Sequence, residues 1–111
     1  MSLETDLEIR RIDALLSSAG RKDDDGKPRW DLLPFAEAEE VVKVLTYGAR
    51  RYGDHNWRQV DNAPNRYLAA ALRHISAHRQ GAPLDYESGL PHLAHAVASL
   101  LFIMALEREG Q

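Results

Sequence analysis

Residues 88–106 read "SGLPHLAHAVASLLFIMAL", and the placement of this stretch decides the architecture. At about 100° per residue, Leu90, Leu93, Val97, Leu100, Leu101 and Met104 cover one broad side of a helix. Ala94, Ala98, Phe102, Ala105 and Leu106 cover much of the remainder. A helix that is apolar nearly all round is buried on most sides. In a chain of 111 residues it is either the central helix or part of an oligomer interface. Ser88 is its predicted N-cap, and the helix is expected to run to about Glu107. One narrow polar stripe remains, formed by His92, His95 and Ser99. The two histidines are three residues apart and leave the helix on one side. Burying an imidazole without a partner costs about 1–3 kcal/mol, so carboxylates, a metal or a phosphate should meet them. The plainer reading is two core histidines bonded to backbone or to acids. Asp85 and Glu87, in "LDYESG", are expected at the N-terminal end of the same helix. Carboxylates beside imidazoles suit Mg2+ or Mn2+ better than structural Zn2+.

Working outward, Pro64 opens "NRYLAAALRHISAHRQG", an Ala-rich helix closed by Gly81. His74, beside Arg73, is placed toward the same site; His78 is explained by the helix dipole. "DLLPFAEAEEVVKVLTYGARRYG" (31–53) has a proline at a helix start and apolar residues at helical spacing up to Gly53. Residues 3–18 carry Leu3, Leu7, Ile12, Leu15 and Leu16 among charges, the pattern of an amphipathic first helix. "AGRKDDDGKPRW" (19–30) and "DHNWRQVDNAP" (54–64) are polar and turn-rich, hence loops. Asp23, Asp24 and Asp25 read as a solvated run rather than a cation site. No convincing strand occurs. The expectation is one all-α domain over residues 1–111, a bundle of four to five helices.

Hydrophobic residues make up 44% and charged residues 28% of the chain, the balance of a soluble globular protein. A net charge of −3 provides no field for a nucleic acid polymer, although a small phosphate ligand needs only local charge. Without cysteine there is no disulfide and no thiolate metal site. No run is long enough for a membrane partner or span, and the acidic start lacks a signal-peptide core. A cytoplasmic location is the expectation.

The carboxylates of "EAEE" are Glu37, Glu39 and Glu40. With the apolar stripe of that helix centred between Ala38 and Ala49, Glu39 lies about 90° from the centre and faces a groove best. Glu37 and Glu40 form an E-x-x-E spacing that can bring two carboxylates to one metal cluster. The alternative is that acids in the first turns only complement the helix dipole. Lys27, Arg29, Lys43, Arg50, Arg51 and Arg73 are candidate phosphate contacts. Trp30, Tyr52 and Trp57 lie in or beside loops, where one could stack on a base or serve the core. Asn56 carries a donor and an acceptor suited to a base edge.

Together, "GKPRWDLLP", "YGARRYGDHNW", "LRHISAH" and "DYESGLPHLAHA" resemble the MazG-like dATP/dGTP diphosphohydrolases of phages and bacteria, above all members from cyanophages whose DNA contains 2-aminoadenine. The resemblance covers about Gly20 to Leu106, giving a core of 21–107 preceded by a helix in 1–20. It implies an all-α nucleoside triphosphate pyrophosphohydrolase with two or three Mg2+ or Mn2+ ions, working as a dimer or dimer of dimers. The implied substrate is a purine deoxynucleoside triphosphate: dGTP, with GTP and dATP as further candidates. The dGMP formed would feed synthesis of the 2-aminoadenine nucleotide.

There is one departure. MazG proteins pair E-x-x-E on one helix with E-x-x-D on another. Here Glu37 and Glu40 keep the first spacing, the family's usual acidic position falls at Glu39, and His92 and His95 stand where E-x-x-D is expected. The implied metal set is therefore Glu37, Glu39, Glu40, Asp85, Glu87, His92 and His95, with Glu39 and His95 closest to the chemistry. Lys27, Arg29, Lys43, Arg51 and Arg73 would meet the phosphates, and Trp30, Asn56 and Trp57 the base. Two other classes compete with an enzyme: a nucleotide sensor without turnover, and a structural helical protein whose histidines organise a dimer.

Overall fold

A computed structural model describes residues 3–16 and 20–110, with the side chains of 3–5 and 13–16 set aside. Helix α1 spans Leu3–Leu16; Ser17 and Ser18, the expected end of that helix, lie outside the described residues. Three more helices follow: α2, Phe35–Tyr52; α3, Ala63–Arg79; and α4, His92–Arg108. Single 3-10 turns cover Trp30–Leu32 and Asn56–Gln59. Among the described residues there is no strand, only an isolated bridge between Leu84 and Pro91. The protein is all-α.

The chain divides into two compact units, Met1–Asp31 and Leu32–Gln111. In the first, Asp23, Asp24 and Asp25 are exposed, as a solvated run should be. Gly26 takes φ +78°, which lets the Lys27 amide donate to the Asp24 carbonyl at 3.1 Å.

In the second unit α4 packs against both α3 and α2. Val41 and Val44 of α2 meet Ala94 and Ala98 of α4, with Leu45 and Leu90 against them. Ala71, Ala94, Ala96 and Ala98 are each at most 5% exposed. Methyl side chains at these contacts let neighbouring backbones come close. The central position expected for α4 is thus observed, but burial is not complete. Leu93, Val97, Leu100 and Met104, one face at i, i+4, i+7 and i+11, stay exposed.

Two local expectations are corrected. The first is the face of α2. Its buried residues are Val41 and Val44, not a stripe between Ala38 and Ala49, and Val42 is exposed. With Leu45 and Gly48 half-buried beside them, the packed edge centres near Val41 and Gly48. Glu37 then lies about 30° from that centre, Glu40 about 90° and Glu39 about 170°. The alanines misled because they suit any face of a helix, whereas β-branched valines mark the contact. The second is the start of α4. The helix begins at His92 behind Pro91, with no side-chain cap, so Ser88 is not its N-cap.

Residues 83–92 instead form a closed loop. The Asp85 amide donates to the Leu90 carbonyl at 2.8 Å, Gly89 to the Asp85 carbonyl at 2.8 Å, and His92 to the Pro83 carbonyl at 2.9 Å. Gly89 sits at φ +73°, a left-handed conformation that glycine takes without a Cβ penalty. Pro91 removes a backbone donor just where the helix starts.

Candidate metal and nucleotide site

The loop closure carries Asp85 and Ser88 onto the polar stripe of α4. Ser88 is the junction. Its amide and its hydroxyl both reach Asp85 Oδ2, at 2.9 and 3.0 Å. The same hydroxyl lies 2.7 Å from His95 Nε2 and accepts the Leu90 amide at 3.1 Å. A hydroxyl has one proton to give. The Asp85 carboxylate can only accept, so the proton goes there, and His95 Nε2 must donate to Ser88. That fixes the tautomer of His95 and leaves Nδ1 with its lone pair.

From α3, His74 enters the same cluster. Its ring stacks on His95, with centroids 4.6 Å apart and 12° between planes. Its Nδ1 lies 2.8 Å from Nδ1 of His92. One of those nitrogens must carry the proton for the pair to be a hydrogen bond. His92 is buried, while His74, Asp85 and His95 are half-buried. Tyr47 of α2 meets the His95 ring edge-on at 6.5 Å.

Electrostatics follow the geometry. Burial, then the neighbouring His95 and His92, holds His74 below the usual imidazole range. Burial also lowers His95, although Asp85 opposes it. For Asp85 burial alone would raise the carboxyl, but the amide and hydroxyl of Ser88, with the imidazoles, outweigh it and leave it below the usual range. Neutral imidazoles beside an ionised carboxylate offer lone pairs to a cation. Ligand atoms of His74, Asp85 and His92 lie within 4.8 Å of one another. Two nitrogens and an oxygen suit a divalent transition ion, so of the two ions the resemblance implies these residues fit Mn2+.

Beside this cluster a cavity of about 790 Å3 runs between α2, the Asn56–Gln59 turn and α4. Its walls include Tyr47, Tyr52, Asn56, Trp57, Phe102 and His95. His95 thus belongs to both the cluster and the groove.

The expected site residues divide accordingly. Asp85, His92 and His95 come together. Glu87 lies beside them but binds Arg51, which reaches both Glu87 Oε2 and the Tyr47 hydroxyl at 3.1 Å. Glu37 and Glu39 are exposed, and Glu40 pairs with Lys43 at 3.3 Å. None of these three acids joins the His74–Asp85–His92 group. Asn56 and Trp57 line the groove, with Trp57 stacked on Phe102 at 4.5 Å and covered by the Arg58 guanidinium at 4.3 Å. Arg73 faces a separate shallow hollow with Ser76 and Gln80. Lys27, Arg29 and Trp30 belong to the first unit. There Arg29 forms an exposed pair with Asp31, and Trp30 is 71% exposed.

His74, placed toward the site by sequence but outside the implied metal set, joins the cluster directly, and Ser88 is its hub. The signal for His74 was its place on an Ala-rich helix that must pack closely. Ser88 gave none, because a serine before a helix reads first as a cap.

The site is that of an all-α protein with a histidine–carboxylate cluster able to hold a cation beside an aromatic groove. Residues 17–111 match the family model described as dATP/dGTP diphosphohydrolase, N-terminal, and the chain belongs to that family. It is 38% identical over 87 residues to a dATP/dGTP diphosphohydrolase of Salmonella phage PMBT28. The match covers 78% of this chain and 29% of that protein, so the chain spans under a third of its relative's length. No solved structure matches. No helix of the described residues is long and apolar enough to cross a membrane.

Proposed function

We propose that this chain is a metal-dependent nucleoside triphosphate pyrophosphohydrolase that converts dGTP, with GTP and dATP as further candidate substrates, to the monophosphate and pyrophosphate. The observation that carries the reading is His95, which stacks on His74 and bonds to Ser88 at the candidate cation group and also lines the aromatic groove. Family membership and the name of the phage relative support it. The resemblance to MazZ enzymes of phages whose DNA contains 2-aminoadenine supports a role in which the dGMP released enters synthesis of that nucleotide.

The base enters the groove, with Asn56 offering a donor and an acceptor to its edge and Tyr52, 61% exposed, offering a ring face. Trp57 already has two intramolecular partners and serves as the wall behind. Arg51, bonded to the groove residue Tyr47, exchanges its contact with Glu87 for the phosphates. Asp85, His92 and the family's expected acids Glu37, Glu39, Glu40 and Glu87 would hold the Mg2+ or Mn2+ ions. Such ions, two or three per site, supply Lewis acidity toward phosphate oxygens and lower the pKa of water. His95, neutral and tied through Nε2 to Ser88, has Nδ1 to take the proton of the attacking water. Attack at the α-phosphorus breaks its bond to the bridging oxygen, and pyrophosphate leaves.

The α2 acids do not join the histidine centre within one chain, and Leu93, Val97, Leu100 and Met104 are exposed on α4. Both observations support a homo-oligomer, a dimer or dimer of dimers, that completes the site. The direct test is incubation with dGTP and Mn2+. Release of dGMP and pyrophosphate supports the reading. Tight nucleotide binding without products makes the protein a sensor, and neither result leaves a structural helical protein. Turnover across the eight common nucleoside triphosphates then sets the base preference.

A further inference from the structure

We infer that His74, Asp85 and His92 form a binding site for one divalent first-row transition ion, selected over Mg2+, with His95 and Ser88 outside its ligand shell. The inference deepens the metal-dependent reading above by assigning the ligands and the class of ion. It brings in His74, which the metal set implied by the resemblance does not include.

The first argument is geometric. Two ligands about 2.1 Å from one ion and at right angles to each other stand about 3.0 Å apart. The Nδ1 atoms of His74 and His92 are 2.8 Å apart. They are held there by elements distant in sequence, α3 and the first turn of α4. Without a cation, one nitrogen must donate to the other; with one, both lone pairs turn to the same point. Asp85 completes the group within 4.8 Å and needs only a small approach.

The second argument is the support around the group. Asp85 Oδ2 takes both the amide and the hydroxyl of Ser88, which aims the carboxylate while Oδ1 keeps its lone pairs. His95 is held by Ser88 at 2.7 Å through Nε2, and its ring lies flat on His74. It therefore packs against a ligand rather than serving as one. Hydrogen-bonded partners of this kind orient metal ligands and tune their affinity.

The third argument is chemical. Mg2+ demands oxygen donors and keeps its waters, whereas imidazole nitrogen favours Mn2+ through Zn2+, with affinity rising along that series to Cu2+. Two imidazoles against one carboxylate therefore discriminate against Mg2+.

The test uses the full chain, stripped with chelator and titrated with Co2+ without nucleotide, so that it can fail or succeed independently of hydrolysis. One Co2+ per chain should bind, with a visible absorption band carrying nitrogen-ligand character. His74→Ala and His92→Ala should each weaken binding at least about 100-fold, and Ser88→Ala about 10-fold. Millimolar Mg2+ should leave the Co2+ titration unchanged. Circular dichroism checks that each variant folds. Should an alanine variant not fold, the near-isosteric Asp85→Asn carries the same expectation of about 100-fold. Co2+ binding of wild-type strength in folded His74→Ala and His92→Ala, or displacement of Co2+ by Mg2+, overturns the inference.

Discussion

Two polar regions of this chain look alike on paper and differ in space. The start of α2 carries Glu37, Glu39 and Glu40; the start of α4 carries His92 and His95. The α4 pair is backed by Ala94, Ala96 and Ala98, all buried; His74 and Ser88 meet it at hydrogen-bonding distance, and Asp85 Oδ2 stands 3.8 Å from His95 Nε2. The α2 acids are solvated apart from the half-buried Glu40 and its lysine. Spacing puts side chains on one face of a helix, but only a neighbouring element turns that face into a site. For α4 that neighbour is present within the chain. For α2, among the described residues, it is not.

The largest expected effect comes from the buried region. His92→Ala should lower Mn2+-dependent dGTP turnover by at least about 100-fold, measured as pyrophosphate release. Activity within a few-fold of wild type would break the contrast. Next, Glu37→Gln, nearest the packed edge of α2, should cost about 10-fold in turnover, and Glu39→Gln, facing away, less than about 3-fold. The reverse order would show that Glu39 is the acid turned into the site by another copy of the chain.

Packing supplies a third test. Ala98→Leu inserts a branched chain between α2 and α4 and should cost about 1–3 kcal/mol, read from the urea midpoint. The fourth concerns pH, in chelator. His74 and His95 have folded values below the unfolded value of about 6.5. The unfolded chain therefore binds more protons as pH falls through that value. Stability should be highest above it and decline below, until the folded imidazoles also protonate. Asp85, lowered in the fold, adds stability that persists above about 3.8 and is lost further into acid. A urea midpoint that does not change between neutral pH and about pH 5 would remove the argument for neutral, buried imidazoles. The smallest effect is expected at the exposed stripe. Val97→Glu should leave the monomer folded and shift the elution volume toward the single chain.

Much of this was legible in sequence. The periodicity of 31–53, 65–81 and 88–106, with their flanking glycines and prolines, marked three helices and their ends to within a few residues. The apolar character of 88–106 marked the central one. His92 and His95 stood out because a helix so apolar has no other reason to carry them. The face of α2 was less legible, since alanine contributes to a hydrophobic stripe without committing to contact. Ser88 was misplaced because a local rule, the N-cap, competed with a loop closed by Gly89 and Pro91. His74 was suspected but left off the site because its partners lie 11 and 18 residues away in the chain, at Asp85 and His92.

What the sequence determined by itself is the all-α class, a helix apolar enough to be covered on most sides, and the existence of a polar stripe that needs partners. These follow from periodicity and from the cost of leaving imidazoles buried and unpaired. What only the tertiary structure decided is which partners arrive. Close packing through small residues and a loop closed at Leu84 and Pro91 bring His74, Asp85 and Ser88 together. Those distances depend on how elements meet, and a pattern of residues along one element does not contain them.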